Sequence, residues 1–210
     1  MKALLIDDHA LFRDALGLLI GARHPRLELL QSGDLAGGLA LLAAHPDLRL
    51  VLLDLNLPDS QGPAAIERLR AQAPAARVVV LSADDRPETV AQAIEQGACG
   101  FVPKTARGEA LSRALQVTLE GGVYLPPSAA ALPAAPADAV TPASLGLSPR
   151  QADVLRLLID GHPNKSICRA LDLSESTVKT HLAAVFRRLD VYSRTQAVVA
   201  AARLGLRFPA

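Results

Sequence analysis

The sequence predicts a five-stranded, doubly wound parallel α/β sheet followed by a small all-α domain. Three observations carry that reading. Through the first 120 residues short apolar β-type runs alternate with longer segments of helical spacing, the pattern of a parallel sheet covered by helices on both faces. Residues 121–146 turn to Pro and Ala with one charge, Asp138, and from 147 to 210 only helical patterns remain. Formal charge divides along the same lines: 12 Lys+Arg against 15 Asp+Glu in 1–120, and 10 against 5 in 147–210, hidden inside a net charge of +1.

The predicted strands are Ala3–Ile6, Leu27–Gln31, Leu50–Leu53, Val78–Leu81 and Gly100–Val102. Between them aliphatic residues recur at helical intervals: Leu11/Ala15/Leu18/Leu19, Leu35/Leu39/Leu42, Ile66/Leu69, Val90/Ile94 and Leu111/Leu115/Leu119. The stretch 121–146 reads as an interdomain linker, with room for a short Ala-rich helix through Ser128–Leu132 that Pro133 and Pro136 would stop. Beyond it, Ser148-Pro149-Arg150-Gln151 has the form of N-cap, N1 proline and capping-box Gln, leading to Val154, Leu155, Leu158 and a stop at Gly161. A short helix around Lys165–Leu171, a break at Asp172-Leu173-Ser174, a helix from Glu175 to Leu189 and a last one opened by Ser193-Arg194-Thr195-Gln196 complete the chain.

Composition narrows the function. Of the 210 residues 50% are hydrophobic and 3% aromatic, with no Trp, so the core is aliphatic and little is available for stacking on single-stranded nucleic acid. Two distant cysteines, Cys99 and Cys168, build neither a disulfide framework nor a zinc site. The opening MKALLIDDHA meets two aspartates after four apolar residues, and no run approaches the ~18 apolar residues of a membrane span. A soluble, cytoplasmic protein without a membrane partner is expected.

Doubly wound sheets bind ligands beyond the carboxyl ends of their strands. Asp7 and Asp8 follow the first strand, Asp54 ends the third, Ser82 ends the fourth and Lys104 follows the fifth. Taken singly, Asp7 or Asp8 could cap a helix and Asp54 could start a turn. Together, crowded carboxylates repel unless a cation neutralises them, and an all-oxygen set suits Mg²⁺. A lysine and a hydroxyl beside them suit a phosphoryl group, so the implied chemistry is phosphoryl transfer to the Asp54 carboxylate. His9 fits no ligand position and reads as structural.

In LLIDDH, VLLDLNLPDSQG, VVVLSA and GACGFVPK, residues 1–120 resemble the flavodoxin-like receiver domain of bacterial two-component response regulators. The resemblance implies phosphorylation at Asp54. It also implies metal ligation by Asp8, by Asp7 through water, by Asp54 and by the Asn56 carbonyl, phosphoryl contacts from Ser82 and Lys104, and a rotating aromatic switch at Phe101. One departure is Thr105, where many relatives carry proline after the lysine.

The net positive charge and four short helices of the C-terminal part suggest a helix-turn-helix DNA-binding unit. Along Glu175–Leu189, Val178, Leu182, Val185 and Leu189 make one apolar stripe, leaving Lys179, Thr180, Ala183, Ala184 and Arg187 outward. Lys179 suits a guanine edge or a phosphate, Thr180 a thymine methyl, and Arg187 and Arg188 phosphates. The pieces LSPRQ, Gly161–Lys165, STVKTHL, FRRLDV and SRTQAV resemble the LuxR-type helix-turn-helix over its full length. By that resemblance Lys165, Thr177, Lys179, Thr180, Ala183, Arg187 and Arg188 form the DNA-contacting set. Gln151, Ser166 and Ala183 depart from the usual residues. Cys168, in the supporting helix, reads as a packing residue.

Joined, the two resemblances imply the NarL/FixJ class of response regulator, not an enzyme in its own right. The division is receiver 1–120, linker 121–146 and DNA-binding domain 147–210. The implied partners are a sensor histidine kinase, double-stranded DNA, RNA polymerase and a second copy of the chain when phosphorylated or DNA-bound, with the unphosphorylated receiver covering the recognition helix. Two other readings compete with it. A hydrolase of the haloacid dehalogenase type needs an acid where Asn56 stands. A phosphorylation-independent regulator, using the receiver only as an interaction surface, would be expected to have lost part of the acidic set.

Overall fold

The computed structural model describes residues 1–106, 108–126 and 140–208. The sequence expectation of a helix through 128–132 lies outside the described residues. In chain order the first domain runs β1 (Lys2–Ile6), α1 (Ala10–Arg23), β2 (Glu28–Ser32), α2 (Leu35–Ala44), β3 (Leu48–Asp54), β4 (Asn56–Leu57), β5 (Ser60–Gln61), α3 (Ala64–Gln72), β6 (Arg77–Ser82), α4 (Pro87–Glu95), β7 (Gly100–Pro103) and α5 (Gly108–Leu119). The main sheet is parallel throughout, in the order β2-β1-β3-β6-β7.

Strand alternation sorts the core into two layers. Leu4, Ile6, Leu53 and Val80 face one side with α2, α3 and α4, while Ala3, Leu5, Leu52 and Val79 face the other with α1 and α5. Gly38 lets α2 approach β1: a Cβ there would stand 2.4 Å from Ile6 Cδ1. The two-stranded β4–β5 hairpin after Asp54 is an element that the sequence did not suggest.

The structure corrects the reading of α1. Leu16 and Ile20 are buried, with Phe12 and Leu19 packed beside them, whereas Leu11 and Leu18 are exposed. Two rows of apolar residues at helical spacing run along this helix, and the sheet takes the row that spacing alone did not select. The start of the presumed linker is also built into the domain: Val123 is buried, and Tyr124 bridges Gly100 while its carbonyl accepts from Phe101 N at 2.9 Å.

The C-terminal part holds α6 (Pro149–Ile159), α7 (Asn164–Leu171), α8 (Glu175–Leu189) and α9 (Arg194–Arg203) around a core of Val154, Leu155, Leu158, Ile167, Val178, Leu182 and Val185. The capping box forms as its sequence demands: Ser148 Oγ accepts from Gln151 N at 3.3 Å, and Gln151 Oε1 accepts from Ser148 N at 3.0 Å. Ser174 and Ser193 cap α8 and α9 in the same way, accepting from Thr177 N and Gln196 N at 3.1 Å each. Between α7 and α8, Asp172 turns the chain in the left-handed region at φ 53°.

The two parts meet through α4 and α9. Val199 of α9 is 4% exposed and belongs to the apolar cluster of the first domain. Around it, Arg203 Nη1 lies 2.9 Å from Glu95 Oε1, and Gln196 Nε2 donates to Glu95 O at 3.5 Å. Among the described residues no helix is long and apolar enough to cross a membrane.

Candidate functional site

The carboxyl ends of β1, β3 and β6 bring Asp7, Asp54 and Ser82 together, each no more than 1% exposed. Parallel register explains this: Ile6 lies opposite Leu53, and Asp54 opposite Leu81, so the residue after each apolar run falls at one edge. Lys104, just past β7, is drawn over the same edge because its N–H donates to Ser82 O at 2.7 Å. Its ammonium donates to Asp54 Oδ2 at 2.7 Å and lies 2.8 Å from Asp7 Oδ2, with the Phe12 ring centroid 4.9 Å away. Burial works to lower the Lys104 pKa, but the hydrogen bonds and charges of Asp54 and Asp7 outweigh it, and the net shift is upward.

Asp7 is held from several sides. Its Oδ1 accepts from His9 N at 2.9 Å, its carbonyl accepts from Arg13 Nη1 at 2.5 Å, and its own N–H donates to Ser32 O at 3.1 Å. Asp7 Oδ2 is fully buried, and its partner is the Lys104 ammonium at 2.8 Å. Ligand atoms of Asp7, Asp8, His9 and Asp54 lie within 4.8 Å of one another, so the residues present fit a hard divalent ion. Asn56 N donates to Asp54 Oδ1 at 3.1 Å, which holds the Asn56 backbone beside that carboxylate.

Sequence reasoning set His9 aside, yet its Nδ1 lies 2.7 Å from Asp8 Oδ1 at the rim of the cluster. Asp59 was missed altogether. Its two oxygens accept from Leu35 N and Ala36 N at 2.9 and 2.8 Å, which secures the start of α2; these backbone hydrogen bonds, led by Leu35, hold its pKa down against burial. Nothing local signals that role, because donor and acceptor are 24 residues apart. Phe101 is fully buried in the layer that also contains Val90, Ala91 and Ile94 of α4.

On the other domain Val178, Leu182 and Val185 bury one side of α8, while Lys179, Thr180, Ala183, Arg187 and Arg188 stand exposed on the rest of the helix, with Lys165 exposed on α7. Thr177 is half-buried and its hydroxyl lies 2.7 Å from Ser174 Oγ at the cap. Thr180 Oγ1 donates to Ser176 O at 3.0 Å, which ties down the hydroxyl. Lys179 Nζ is 2.8 Å from Glu175 Oε1, and this hydrogen bond raises the lysine's pKa and lowers the glutamate's. Cys168 packs against the helical core, and it and Cys99 are free thiols.

Comparison with known proteins divides the chain in the same manner. Residues 3–116 match the family described as response regulator receiver domain, and residues 145–201 match bacterial regulatory proteins of the luxR family. The chain is 36% identical over 208 residues to a glycerol metabolism activator of Pseudomonas putida, covering 95% of this chain and 94% of that protein. It is 35% identical over 201 residues to the nitrate/nitrite response regulator protein NarL of Escherichia coli K12, covering 93% and 92%. Among solved structures, a LuxR-family two-component response regulator from Aurantimonas sp. SI85-9A1 matches with a TM-score of 0.57 at 27% identity, covering 62% of this chain and 92% of that one.

Proposed function

The chain belongs to the bacterial response regulators that join a receiver domain to a luxR-family DNA-binding domain, and from that premise we propose that phosphorylation of Asp54 by a histidine kinase controls its binding to DNA. The observation that carries the reading is the buried Asp54 carboxylate, hydrogen-bonded by Lys104 and gathered with Asp7 and Asp8 at the sheet edge. An Asp54 oxygen attacks the phosphorus of a phosphohistidine; the new O–P bond forms as the P–N bond breaks, and the electron pair leaves with the kinase imidazole. Lys104 already sits at 2.7 Å from the acceptor and neutralises charge on the transferring group. Asp7, Asp8, Asp54 and the Asn56 carbonyl would hold Mg²⁺, which when bound supplies charge neutralisation for the carboxylates and phosphoryl oxygens.

The route to the second domain starts at Ser82. Its Oγ accepts from Asp84 N at 3.1 Å, so turning the hydroxyl toward a phosphoryl group releases the loop that leads into α4. Asp84 in turn accepts from Arg86 Nε and Nη2 at 2.9 and 2.7 Å and from Thr89 Oγ1 at 2.9 Å, so loop and helix move together. Phe101 packs in the same layer as α4, and α4 carries the contact with α9. The added charge of about −1.5 to −2 biases this existing contact rather than building a new fold. The outward face of α8 then meets double-stranded DNA through Thr177, Lys179, Thr180, Ala183, Arg187 and Arg188, together with Lys165 of α7. In this reading residues 1–120 receive the signal, 121–146 connect and 147–210 bind DNA, in the cytoplasm and as a dimer when activated.

The test is intact-mass spectrometry of wild type and Asp54→Asn after incubation with acetyl phosphate, with and without Mg²⁺. A Mg²⁺-dependent phosphoryl adduct on wild type alone is the expected result. An adduct that persists on Asp54→Asn would overturn the assignment.

A further inference from the structure

We propose a binding site for a small polyphosphate anion in the groove between the two domains, built on Arg77 of β6 and Arg194 of α9. The groove has a volume of about 920 Å³, and its walls carry five cations, Arg77, Lys165, Arg169, Lys179 and Arg194, against two carboxylates, Glu120 and Glu175. Neither carboxylate is spent on the arginines: Glu120 accepts from Gln116 Nε2 at 3.3 Å and Glu175 pairs with Lys179. Among the described residues no acid forms an ion pair with Arg77 or Arg194.

Two independent features indicate that the missing partner is an anion. First, each guanidinium is half satisfied. Arg77 Nη2 donates to Gly122 O at 2.6 Å, and Arg194 donates to Asn164 Oδ1 at 2.9 Å and to His162 O. The Nε of both is nonetheless buried without a hydrogen-bond partner. Buried charged donors left unmade are costly, and phosphate oxygens match the guanidinium fork. Second, the two charges oppose each other across a domain boundary. Burial, and then the charge of Arg77, pull the Arg194 pKa down to about 10. A polyanion between them relieves that repulsion and satisfies donors from both domains at once, so it binds the closed arrangement selectively. Lys165 and Lys179 line the groove and belong to the DNA-contacting set, so occupancy of the groove opposes DNA binding.

The site is testable without reference to Asp54. Isothermal titration of the full chain with inorganic pyrophosphate, and separately with ATP, both without divalent metal, is expected to show saturable 1:1 binding of at least one, unchanged in Asp54→Asn. Arg77→Gln and the exposed Arg169→Gln are expected to weaken it about tenfold or more, the loss of one charge-assisted pair. Arg77→Glu supplies the missing counter-charge within the chain and is expected to abolish it. In an operator-binding assay the anion should weaken DNA binding by wild type and have less effect on Arg77→Gln, whose change lies outside the DNA-contacting set. Absence of saturable binding, or equal anion affinity and equal anion inhibition in wild type and Arg77→Gln, would overturn the proposal, the latter because the anion would then rest on the DNA-contacting lysines alone.

Discussion

Replacing Lys104 by Met removes the one cation that, among the described residues, touches both buried carboxylates, and its consequence can be worked from distances. Lys104 Nζ lies 2.7 Å from Asp54 and 2.8 Å from Asp7; its side chain is 15% exposed, and the two aspartate side chains are 2% exposed or less. Removing one partner of a buried pair leaves uncompensated charge and costs about 3–5 kcal/mol, against about 1 kcal/mol or less for an exposed pair. Here two acids are orphaned together, so the loss at pH 7 should reach the upper part of that range. Differential scanning calorimetry of the full chain, following the receiver transition, measures it. The double variant Lys104→Met/Asp54→Asn should recover part of the stability, because one carboxylate no longer needs a counter-charge. Mg²⁺ should stabilise Lys104→Met more than wild type, since the acids it would neutralise are otherwise unpaired. A loss below about 1 kcal/mol, with no gain in the double variant, would refute the reasoning by giving Lys104 the behaviour of a solvated surface residue. The wild type carries a further signature of the pair. The folded pKa of Lys104 is raised, so its contribution is complete below the unfolded value of 10.5 and is lost as pH rises through the folded value.

Further outcomes follow from other contacts. Arg86→Gln removes the leading hydrogen-bond donor that holds the Asp84 pKa below 3.8; that contribution is present above 3.8 and lost as pH falls through the folded value, so acid titration monitored by circular dichroism should reveal a less pH-dependent variant. Ser148→Ala breaks the capping box of α6 and should lower C-terminal domain stability by about 1 kcal/mol in thermal unfolding. Glu175→Gln frees Lys179 from its 2.8 Å ion pair and removes a charge that repels phosphate, so fluorescence anisotropy should show tighter DNA binding, while Lys179→Ala weakens it and reduces the salt dependence by about one ion. Val199→Asp places a charge in the α4–α9 contact, and small-angle scattering should show separated domains with both folds intact.

The sequence by itself determined whatever depends on near neighbours and strict periods. Short apolar runs located all five strands of the main sheet and placed Asp7, Asp54 and Ser82 beside their carboxyl ends, because in a parallel sheet the strands finish at the same edge. Ser148 and Ser193 marked helix starts because a cap acts over three residues. Tertiary structure alone decided which of two apolar rows on α1 enters the core, since Leu11/Ala15/Leu18 and Phe12/Leu16/Leu19 have the same spacing and only the sheet distinguishes them. It also decided that Asp59 secures α2, that His9 joins the acid cluster, and that α9 packs on α4. The apposition of Arg77 and Arg194 belongs to the same group. Each of these joins segments distant in the chain, and such contacts are set by how whole surfaces fit and how charge is buried, not by any pattern that a window of neighbouring residues can contain.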